Sequence, residues 1–308
     1  MSGPLRLLVF STQHPPIPRW VEAIASAAEL AGVRFSQHPS DDDGGNFVLL
    51  TDDVSVAQTS PLTDRAVLVS PPEDIDRSRP PSLGYVKLEV MQASARRAWA
   101  IAMLHNGAVS LDATAESVVL PGLGVVTPAA RDTTGLAMQS GHPLAIYRTL
   151  PPQVGAEAVW PAERLSFPIG AEFDGGPSKI DLTGRPRIIV HGPYVELTPG
   201  IWRSELDIDI DPEGGVARLK FEWGVNLDVT GQVFEVSEPG RYRVQLDRLW
   251  EMQGPVQYRI WVSQAVFKGR VEVHSCRVTL ISTDVPAPVA EPEPETATFT
   301  TQAVVPLA

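Results

Sequence analysis

The first third of the chain alternates apolar runs with a stretch of helical period. The runs are LRLLVF (5–10), NFVLL (46–50) and RAVLVS (65–70). Unbroken apolar runs of this length are typical of strands buried on both faces. Between the first two runs, Pro18 is suited to a first helical turn and Gly32 to a helix end. The apolar face of this predicted helix is formed by Trp20, Ile24, Ala27, Ala28 and Ala31.

A second helix is predicted over about 85–106, with Gly107 as its stop. Its apolar stripe is predicted to consist of Leu88, Met91, Ala95, Ala98 and Ala102. Strands that alternate with helices indicate a small three-layer α/β domain, which we place at 1–116. Residues 117–164 are rich in Pro and Gly, as in LPGLGVVTP and LPPQVG, and predict an irregular connector with one or two short strands.

From about residue 165 the period changes to that of short strands separated by turn residues. Eight strands are predicted, in FPIGAEF, RIIVH, IWRSELDIDI, ARLKFEWGV, QVFEV, RYRVQLDRL, VQYRIWVS and EVHSCRVTLI. Turns such as DPEGG and EPG separate most of them, and this spacing favours an antiparallel, jelly-roll-like β-sandwich over 165–283. The predicted fold class is therefore α+β multidomain, with a small α/β domain followed by the sandwich.

Two turn signals in HGPYVELTPGIW (191–202) bound one short extended run. We expect Gly192-Pro193 to break one strand and Pro199-Gly200 to start the next. Trp202 then enters a long strand near its beginning. By strand alternation, Trp202 and Trp223 share their faces with apolar residues, so both are predicted to lie in the core.

The last predicted strand changes phase. Val271 and Val273 have one parity, whereas Cys276, Val278 and Leu280 have the other. One extra residue near position 274 or 275 would restore a common inward face, so the pattern predicts a β-bulge there.

Residues 284–308 are acidic and rich in Pro, Ala, Glu and Thr. Such a segment cannot bury enough apolar surface to fold alone. We expect an extended tail that docks on a protein partner in an oligomer or larger assembly.

Composition excludes several function classes. The 308 residues carry a net charge of −12, which argues against general nucleic-acid binding. The single cysteine, Cys276, excludes an intramolecular disulfide framework. No stretch approaches the roughly 18 apolar residues of a membrane span. The N-terminus lacks the features of a secretion signal, so we expect synthesis in the cytoplasm, with release by cell lysis as one possible route.

The stretch DIDIDPEGG (207–215) places Asp207, Asp209 and Asp211 at alternating positions. A calcium loop of the EF-hand type needs Gly at its sixth position and Glu at its twelfth, where this chain has Pro212 and Arg218. We favour a ladder of cross-strand ion pairs over a metal site, and no metal or other cofactor is predicted. If Pro212–Gly215 forms a hairpin turn, Asp209 lies opposite Arg218 and Asp207 opposite Lys220.

Trp261 is the aromatic side chain whose placement points to a ligand. Val256, Tyr258, Ile260 and Val262 form the apolar face of its strand, and Trp261 lies on the other face with Gln257 and Arg259. A ring beside planar polar groups can stack on a sugar while its neighbours bond the hydroxyl groups. Arg241 and Arg243 lie on the polar face of the preceding strand, and arginine forks suit uronate carboxylates. The alternative is that Trp261 packs under a loop or against the N-terminal domain.

Polar residues also follow the first strands of the α/β domain: Ser11, Thr12, His14, Asp52 and Asp53. Ligands of open α/β sheets bind beyond the carboxyl ends of the strands. However, STQHPPIP lacks the glycines of a phosphate loop. We expect a polar surface rather than a catalytic cluster, and the protein is not predicted to be an enzyme.

Residues 192–281 resemble the carbohydrate-binding-module-like β-sandwich found beside glycosyltransferase and capsule-related domains in alphaproteobacteria. The resemblance lies in GPYVELTPGIWRSELDI, EPGRYRVQLDRL and VEVHSCRVTLI, roughly a third of the chain. It implies a non-catalytic sugar binder or spacer. The plan of a small α/β domain before a sandwich is also similar to head-spike proteins of phage-like gene transfer particles, which attach to capsular polysaccharide.

Three functions remain open from the sequence. The first is a non-catalytic protein that binds bacterial surface polysaccharide, for which Trp261, Arg259, Gln257, Arg241 and Arg243 are the candidate ligand-binding residues. The second is an assembly subunit whose sandwich and tail make protein contacts. The third is a degenerate enzyme of polysaccharide synthesis, which would need a deep pocket at Ser11, His14 and Asp52.

Overall fold

The computed structural model describes residues 4–39, 44–72, 85–130, 142–167, 178–284 and 305–306. The chain divides into two compact units. The first consists of residues 1–75 and 92–138, and the second of residues 76–91 and 139–308.

The elements of the N-terminal part are β1 (Arg6–Ser11), α1 (Pro18–Leu30), β2 (Arg34–Ser36), β3 (Phe47–Thr51), α2 (Val54–Thr59), β4 (Asp64–Val69), α3 (Tyr85–His105), β5 (Val109–Asp112), β6 (Val118–Leu120) and β7 (Gly124–Val126). Five of these strands form a parallel sheet in the order β2-β3-β1-β4-β5. β6 and β7 form a small antiparallel pair.

The apolar runs of the first unit form its buried strands, as predicted. Leu7 and Phe10 of β1 are both completely buried. α1 begins at Pro18 and packs Trp20 and Ile24 on the sheet face that carries Leu7. This packing follows from the sequence pattern. It removes from water both the apolar stripe of the helix and the apolar faces of the strand.

The apolar stripe predicted for α3 is wrong in phase. Of its five members only Ala98 is fully buried, and Leu88 is 50% exposed. The buried side of the helix includes Ser94 and Arg97 instead. The guanidinium of Arg97 donates to the carbonyl oxygens of Ser70 (3.0 Å) and Pro71 (2.9 Å). A buried arginine with backbone acceptors is stable, but hydrophobic periodicity assigns such a residue to the surface.

The second unit is built of β8 (Glu157–Pro161), β9 (Ser178–Asp181), β10 (Arg187–Leu197), β11 (Gly200–Asp211), β12 (Ala217–Val225), β13 (Asp228–Val236), β14 (Gly240–Trp250), β15 (Gly254–Val262), β16 (Arg270–Ser282) and β17 (Val305–Pro306). One antiparallel sheet has the order β10-β15-β12-β13. The other has the order β17-β14-β11-β16-β8, with β9 also paired to β16.

The two sheets enclose a shared core and form a β-sandwich. Trp202 of β11 and Trp223 of β12 are completely buried, as predicted. Trp223 of the first sheet meets Trp250 of the second edge to face, with ring centroids 5.6 Å apart. Seven of the eight predicted strands coincide with β10–β16, and residues 168–177 of FPIGAEF and its flank lie outside the described residues.

Two local predictions in the sandwich are wrong. β10 continues through Gly192-Pro193, and a register shift between Pro193 and Val195 takes up the irregularity as a bulge. Pro199-Gly200 does start β11, as predicted. The hairpin pairing of β11 with β12 is also wrong, since the two strands belong to different sheets. Asp207 therefore faces Arg243 across β11 and β14 rather than Lys220.

The predicted bulge in β16 is confirmed. Ser275 pairs with Asp207 and Val273 pairs with Ile208, so His274 is the extra residue. Val271, Val273, Cys276 and Val278 are all completely buried as a result.

Most of the tail lies outside the described residues. Val305 and Pro306 pair antiparallel with Arg243 and Tyr242 on the edge of β14. Docking of the tail on a partner stays a prediction. Among the described residues no helix has the length and hydropathy needed to cross a membrane.

Candidate functional site

The outward side chains of the four-stranded sheet form a polar surface around Trp261. Along β15, Val256, Tyr258, Ile260 and Val262 point into the core and are completely buried. Trp261 points the other way and is half-buried. We call this surface the Trp261 face, and its central residues are Trp261, Arg259 and Gln257 on β15, Lys220 and Glu222 on β12, and Ile188, His191 and Tyr194 on β10.

Glu222 holds the centre of the Trp261 face together. The indole Nε1 of Trp261 donates to Glu222 Oε2 at 2.7 Å. Lys220 Nζ lies 2.5 Å from Glu222 Oε1, and Arg259 Nη1 lies 3.8 Å from Oε2. The Glu222 side chain is only 6% exposed. One buried carboxylate therefore anchors an aromatic ring and a guanidinium from the neighbouring strand β15 and an ammonium from its own strand.

Glu222 remains ionised in this setting. Burial raises the pKa of its carboxyl group, but the hydrogen bonds from Lys220 and Trp261 and the charges of Lys220 and Arg259 outweigh burial, so the net pKa lies below its ordinary value. Opposite charge and hydrogen bonding to the charged form both favour the carboxylate.

The guanidinium of Arg259 is hydrogen-bonded to other residues of the chain. Its Nε donates to Gln257 Oε1 at 3.0 Å, and its Nη2 donates to the carbonyl oxygen of Asn226. Its side chain is 14% exposed. The structure thus brings together three of the five predicted site residues, Trp261, Arg259 and Gln257, and uses the arginine to brace the face.

A second aromatic ring lies on the same face. Tyr194 follows the cis Gly192-Pro193 bond and has a φ of 66°, a left-handed conformation that is uncommon for a non-glycine residue. Its hydroxyl group is 2.8 Å from His191 Nδ1, and the two rings meet edge to face at 5.9 Å. Burial raises the pKa of Tyr194, and the charge of Arg259 partly offsets this. Tyr194 lies between the partners of Gln257 and Val256, four to five residues along the strand from Trp261, so at about 3.3 Å per residue the backbones of Tyr194 and Trp261 are roughly 14–17 Å apart.

Sequence reasoning missed Glu222, Lys220, His191 and Tyr194 as members of this site. Alternation in ARLKFEWGV already places Lys220 and Glu222 opposite the core residues Phe221 and Trp223. What alternation lacks is strand order, and only the pairing of β12 with β15 brings Glu222 beside Trp261.

Arg241 and Arg243 do not join Trp261, and their predicted grouping with it is wrong. Both lie on the outward face of β14, in the other sheet. Arg243 donates to Asp207 through Nε (2.9 Å) and Nη2 (3.4 Å), and Arg241 lies 4.0 Å from the same carboxylate. These arginines are already engaged in ion pairs.

The remaining aspartates of DIDIDPEGG complete a ladder of ion pairs. Asp209 lies 2.9 Å from His274 Nε2, and Asp211 lies 3.0 Å from Arg270. Within the described part of the chain, no group of three or more His, Cys, Asp and Glu side chains could hold a metal ion. The expected ion pairs are present, but their partners come from β14 and β16 rather than from β12.

A cavity of about 570 Å³ opens at the end of this second sheet. Charged side chains of both signs line it, among them Lys179, Asp209, Arg241 and Glu272. It lies on the opposite sheet from Trp261, so it is a separate feature of the sandwich.

The polar residues beyond the first strands make contacts within and between the loops that follow these strands. His14 Nδ1 contacts Asp52 Oδ2, and the His14 side chain is 63% exposed. Ser11 is buried and donates to the carbonyl oxygen of Gln13 at 3.0 Å, within its own loop. Asp53 accepts from the backbone N–H of Ser55 at 2.8 Å and begins α2, and the Ser55 hydroxyl lowers its pKa. The Ser11 contact closes a turn and the Asp53 contact begins a helix, whereas the His14–Asp52 contact joins the loops that follow β1 and β3.

No model of a known protein family matches the chain, and no characterised protein matches it by sequence. Solved structures similar to it include carbohydrate-binding modules. One is the CBM36-1 domain of a multidomain xylanase from the hindgut metagenome of Trinervitermes trinervoides, at 13% identity over 40% of this chain and 95% of that one, with a TM-score of 0.27.

Two further structures show the same degree of likeness. The CBM22-1 xylan-binding domain of Paenibacillus barcinonensis Xyn10C has 12% identity over 42% of this chain and 97% of that one, with a TM-score of 0.30. TmCBM61 in complex with β-1,4-galactotriose has 9% identity over 46% of this chain and 99% of that one, with a TM-score of 0.28. At these scores the likeness assigns neither a ligand nor a residue role to this chain.

Proposed function

We propose that this protein binds polysaccharide through the Trp261 face and catalyses no reaction on it. The observation that carries the proposal is the half-buried ring of Trp261, held by Glu222 on a polar sheet face that also carries Tyr194. An aromatic ring of this kind stacks on the C–H face of a sugar, and surrounding polar groups bond its hydroxyls.

The proposed contacts are shared between the two rings and their neighbours. Trp261 and Tyr194 each offer an aromatic surface, separated by a distance that suits different sugar units of one chain. Lys220, with a side chain 43% exposed, and His191 are placed to bond hydroxyl groups. Each such contact contributes on the order of 1 kcal/mol, so one site binds weakly and many copies along a repeating polymer bind with avidity.

The finer proposal is that the polysaccharide belongs to a bacterial surface and that the protein acts as a spike on a phage-like particle. Its support is the sequence resemblance over 192–281 and the two-part plan of the chain. A display of many copies is the setting in which a weak, polymer-directed site is useful.

A second candidate function is a subunit of a larger assembly. The observation in its favour is the edge of β14, where Val305 and Pro306 add a short strand beside Tyr242 and Arg243. Strand addition at an exposed sheet edge is a recurrent mode of protein association. In this function the sandwich is a scaffold, and Trp261 is not needed for binding.

A pull-down with encapsulated and capsule-free cells separates the two functions. We compare wild type, Trp261→Ala and Phe267→Ala, a matched aromatic control whose ring is 91% exposed on the β15–β16 loop. If the protein binds polysaccharide, encapsulated cells should retain wild type and Phe267→Ala. The same cells should retain at least tenfold less Trp261→Ala than wild type. Equal retention of all three proteins, or equal binding to both kinds of cell, rejects this function in favour of the assembly subunit.

A further inference from the structure

The cations of the Trp261 face are already paired with protein groups. Three nitrogens of Arg259 point to Gln257, Asn226 and Glu222, and its side chain is 14% exposed. Lys220 contacts Glu222 through its Nζ. A guanidinium fork must be open on one edge to take a carboxylate in bidentate fashion, and Arg259 has this edge turned to its own strand neighbours.

The face as a whole is electrically neutral. By alternation its cations are Arg218, Lys220 and Arg259, and its carboxylates are Glu196, Glu222 and Glu235. Arg218 and Glu235 form a pair of their own at 3.7 Å. The full chain carries a net charge of −12, and a field of that sign repels polyanions over distances of about a Debye length.

We propose that the ligand of the Trp261 face is a neutral polysaccharide rather than a uronate-rich one, and that Glu222 is the positioning residue that sets this preference. The inference rests on the proposed function. Glu222 orients the Trp261 ring through the indole N–H and neutralises Lys220 and Arg259, so the ligand meets a stacking surface with dipolar rather than charged neighbours.

The substitution Glu222→Gln separates these two roles. The glutamine keeps the size of the side chain, and its amide oxygen can still accept from Trp261, but the negative charge is gone. Lys220 and Arg259 are then two cations without a counter-charge at the centre of the face. The variant is therefore expected to retain stacking and to gain attraction for acidic polymers, with the salt dependence of screened charges.

The probes are two sets of immobilised polysaccharides. The neutral set contains a glucan, a galactan, a mannan and a xylan, and the acidic set contains alginate, polygalacturonate and hyaluronate. Wild type is expected to bind a member of the neutral set, with less than a twofold change in affinity between 50 and 500 mM salt, and to bind the acidic set at least tenfold more weakly. Glu222→Gln is expected to gain at least threefold on the acidic set at 50 mM salt and to lose that gain at 500 mM.

Glu235→Gln is the matched control, because it removes a carboxylate from the same face at a side chain that is 66% exposed and distant from Trp261 in the strand register. It is expected to bind like wild type. Equal gains on the acidic set for both variants would overturn the role of Glu222, since a general change of surface charge would then account for the effect.

The failure of this inference is distinguishable from the failure of the proposed function. Wild-type binding to an acidic polymer that needs Trp261 and weakens steeply with salt overturns the neutral ligand and leaves polysaccharide binding in place. Binding to neither set, with Trp261→Ala identical to wild type, rejects both.

The positioning role has an independent readout in the indole N–H resonance of Trp261, assigned by its loss in Trp261→Phe. Glu222→Gln should shift this resonance and Glu235→Gln should not. An unmoved resonance in Glu222→Gln would show that Glu222 does not orient the ring.

Discussion

Trp223 and Trp250 meet edge to face across the core of the sandwich, with ring centroids 5.6 Å apart and ring planes at 77°. They belong to different sheets, β12 and β14. The guanidinium of Arg248 lies 4.9 Å from the Trp250 ring centroid and forms an ion pair with Asp228 of the opposite sheet. The two sheets are therefore joined at this end by an aromatic contact and by a charge pair beside it.

The first prediction is that Trp223→Ala lowers the free energy of unfolding by about 3–5 kcal/mol, because it empties a large, completely buried site and removes the contact with Trp250. Urea denaturation followed by circular dichroism measures the loss. The control is Phe267→Ala, at a ring that is 91% exposed, for which less than about 0.5 kcal/mol is expected. Similar losses in the two variants would contradict the role of Trp223 in joining the sheets.

The second prediction concerns the bulge at His274. With the bulge in place, insertion of one alanine after His274 shifts Val271 and Val273 onto the outward face of β16, so it should destabilise the sandwich by several kcal/mol, on the order of two buried valines. His274→Ala keeps the residue count and removes only a side chain that contacts Asp209, so it should cost about 1 kcal/mol or less. An insertion no more harmful than the alanine substitution would show that β16 tolerates either register.

The third prediction concerns the pH dependence contributed by Glu222. Its folded-state pKa lies below the ordinary value of 4.5, so the carboxylate stabilises the folded protein fully above that value and progressively less as the pH falls through the folded-state pKa. The difference in unfolding free energy between wild type and Glu222→Gln should be constant from neutral pH to about pH 4.5 and should shrink below it.

Trp261→Phe supplies the control for this pH dependence. It removes the indole hydrogen bond that lowers the pKa of Glu222, so the loss of stabilisation at low pH should be smaller than in wild type and should be complete at a higher pH. A difference that grows as the pH falls would mean that the folded-state pKa of Glu222 lies above its ordinary value.

The fourth prediction is that Cys276 does not react with thiol reagents in the folded protein. The residue is completely buried, and burial raises the pKa of its thiol, with the charges of Asp207 and Glu205 acting in the same direction. A thiol of this kind lacks both access and thiolate character. Titration with a chromophoric disulfide should find no reactive thiol in native protein and one after denaturation, since the chain has a single cysteine. Rapid modification of native protein would contradict this prediction, because it would show that the part of β16 that carries Cys276 is accessible to solvent.

The sequence was sufficient for features that depend on local alternation. The bounds of β12 follow from the strict in–out pattern of ARLKFEWGV, and the bulge at His274 follows from one change of parity. Both features depend only on the residues of a single strand, and these residues are consecutive in the sequence.

The features that sequence reasoning missed depend on which strands are neighbours. Asp207 pairs with Arg243 because β11 lies beside β14, and Glu222 reaches Trp261 because β12 lies beside β15. Strand order in a sandwich is set by the whole packing arrangement, so charge spacing along the chain cannot supply it. Arg97 was missed for a different reason, since its burial depends on backbone carbonyls of a loop that has no apolar signature.

The separation of Trp261 from Arg243 has a consequence for engineering. Their side chains leave the sandwich on opposite sheets, with packed sheets about 10 Å apart, so substitutions on the two faces should act additively. The residues on the two outer faces of the sandwich can therefore be changed independently of each other. The side that carries Trp261 can be randomised in a display library to select new ligands, while the side that carries Arg243 bears a dye, a linker or a solid support.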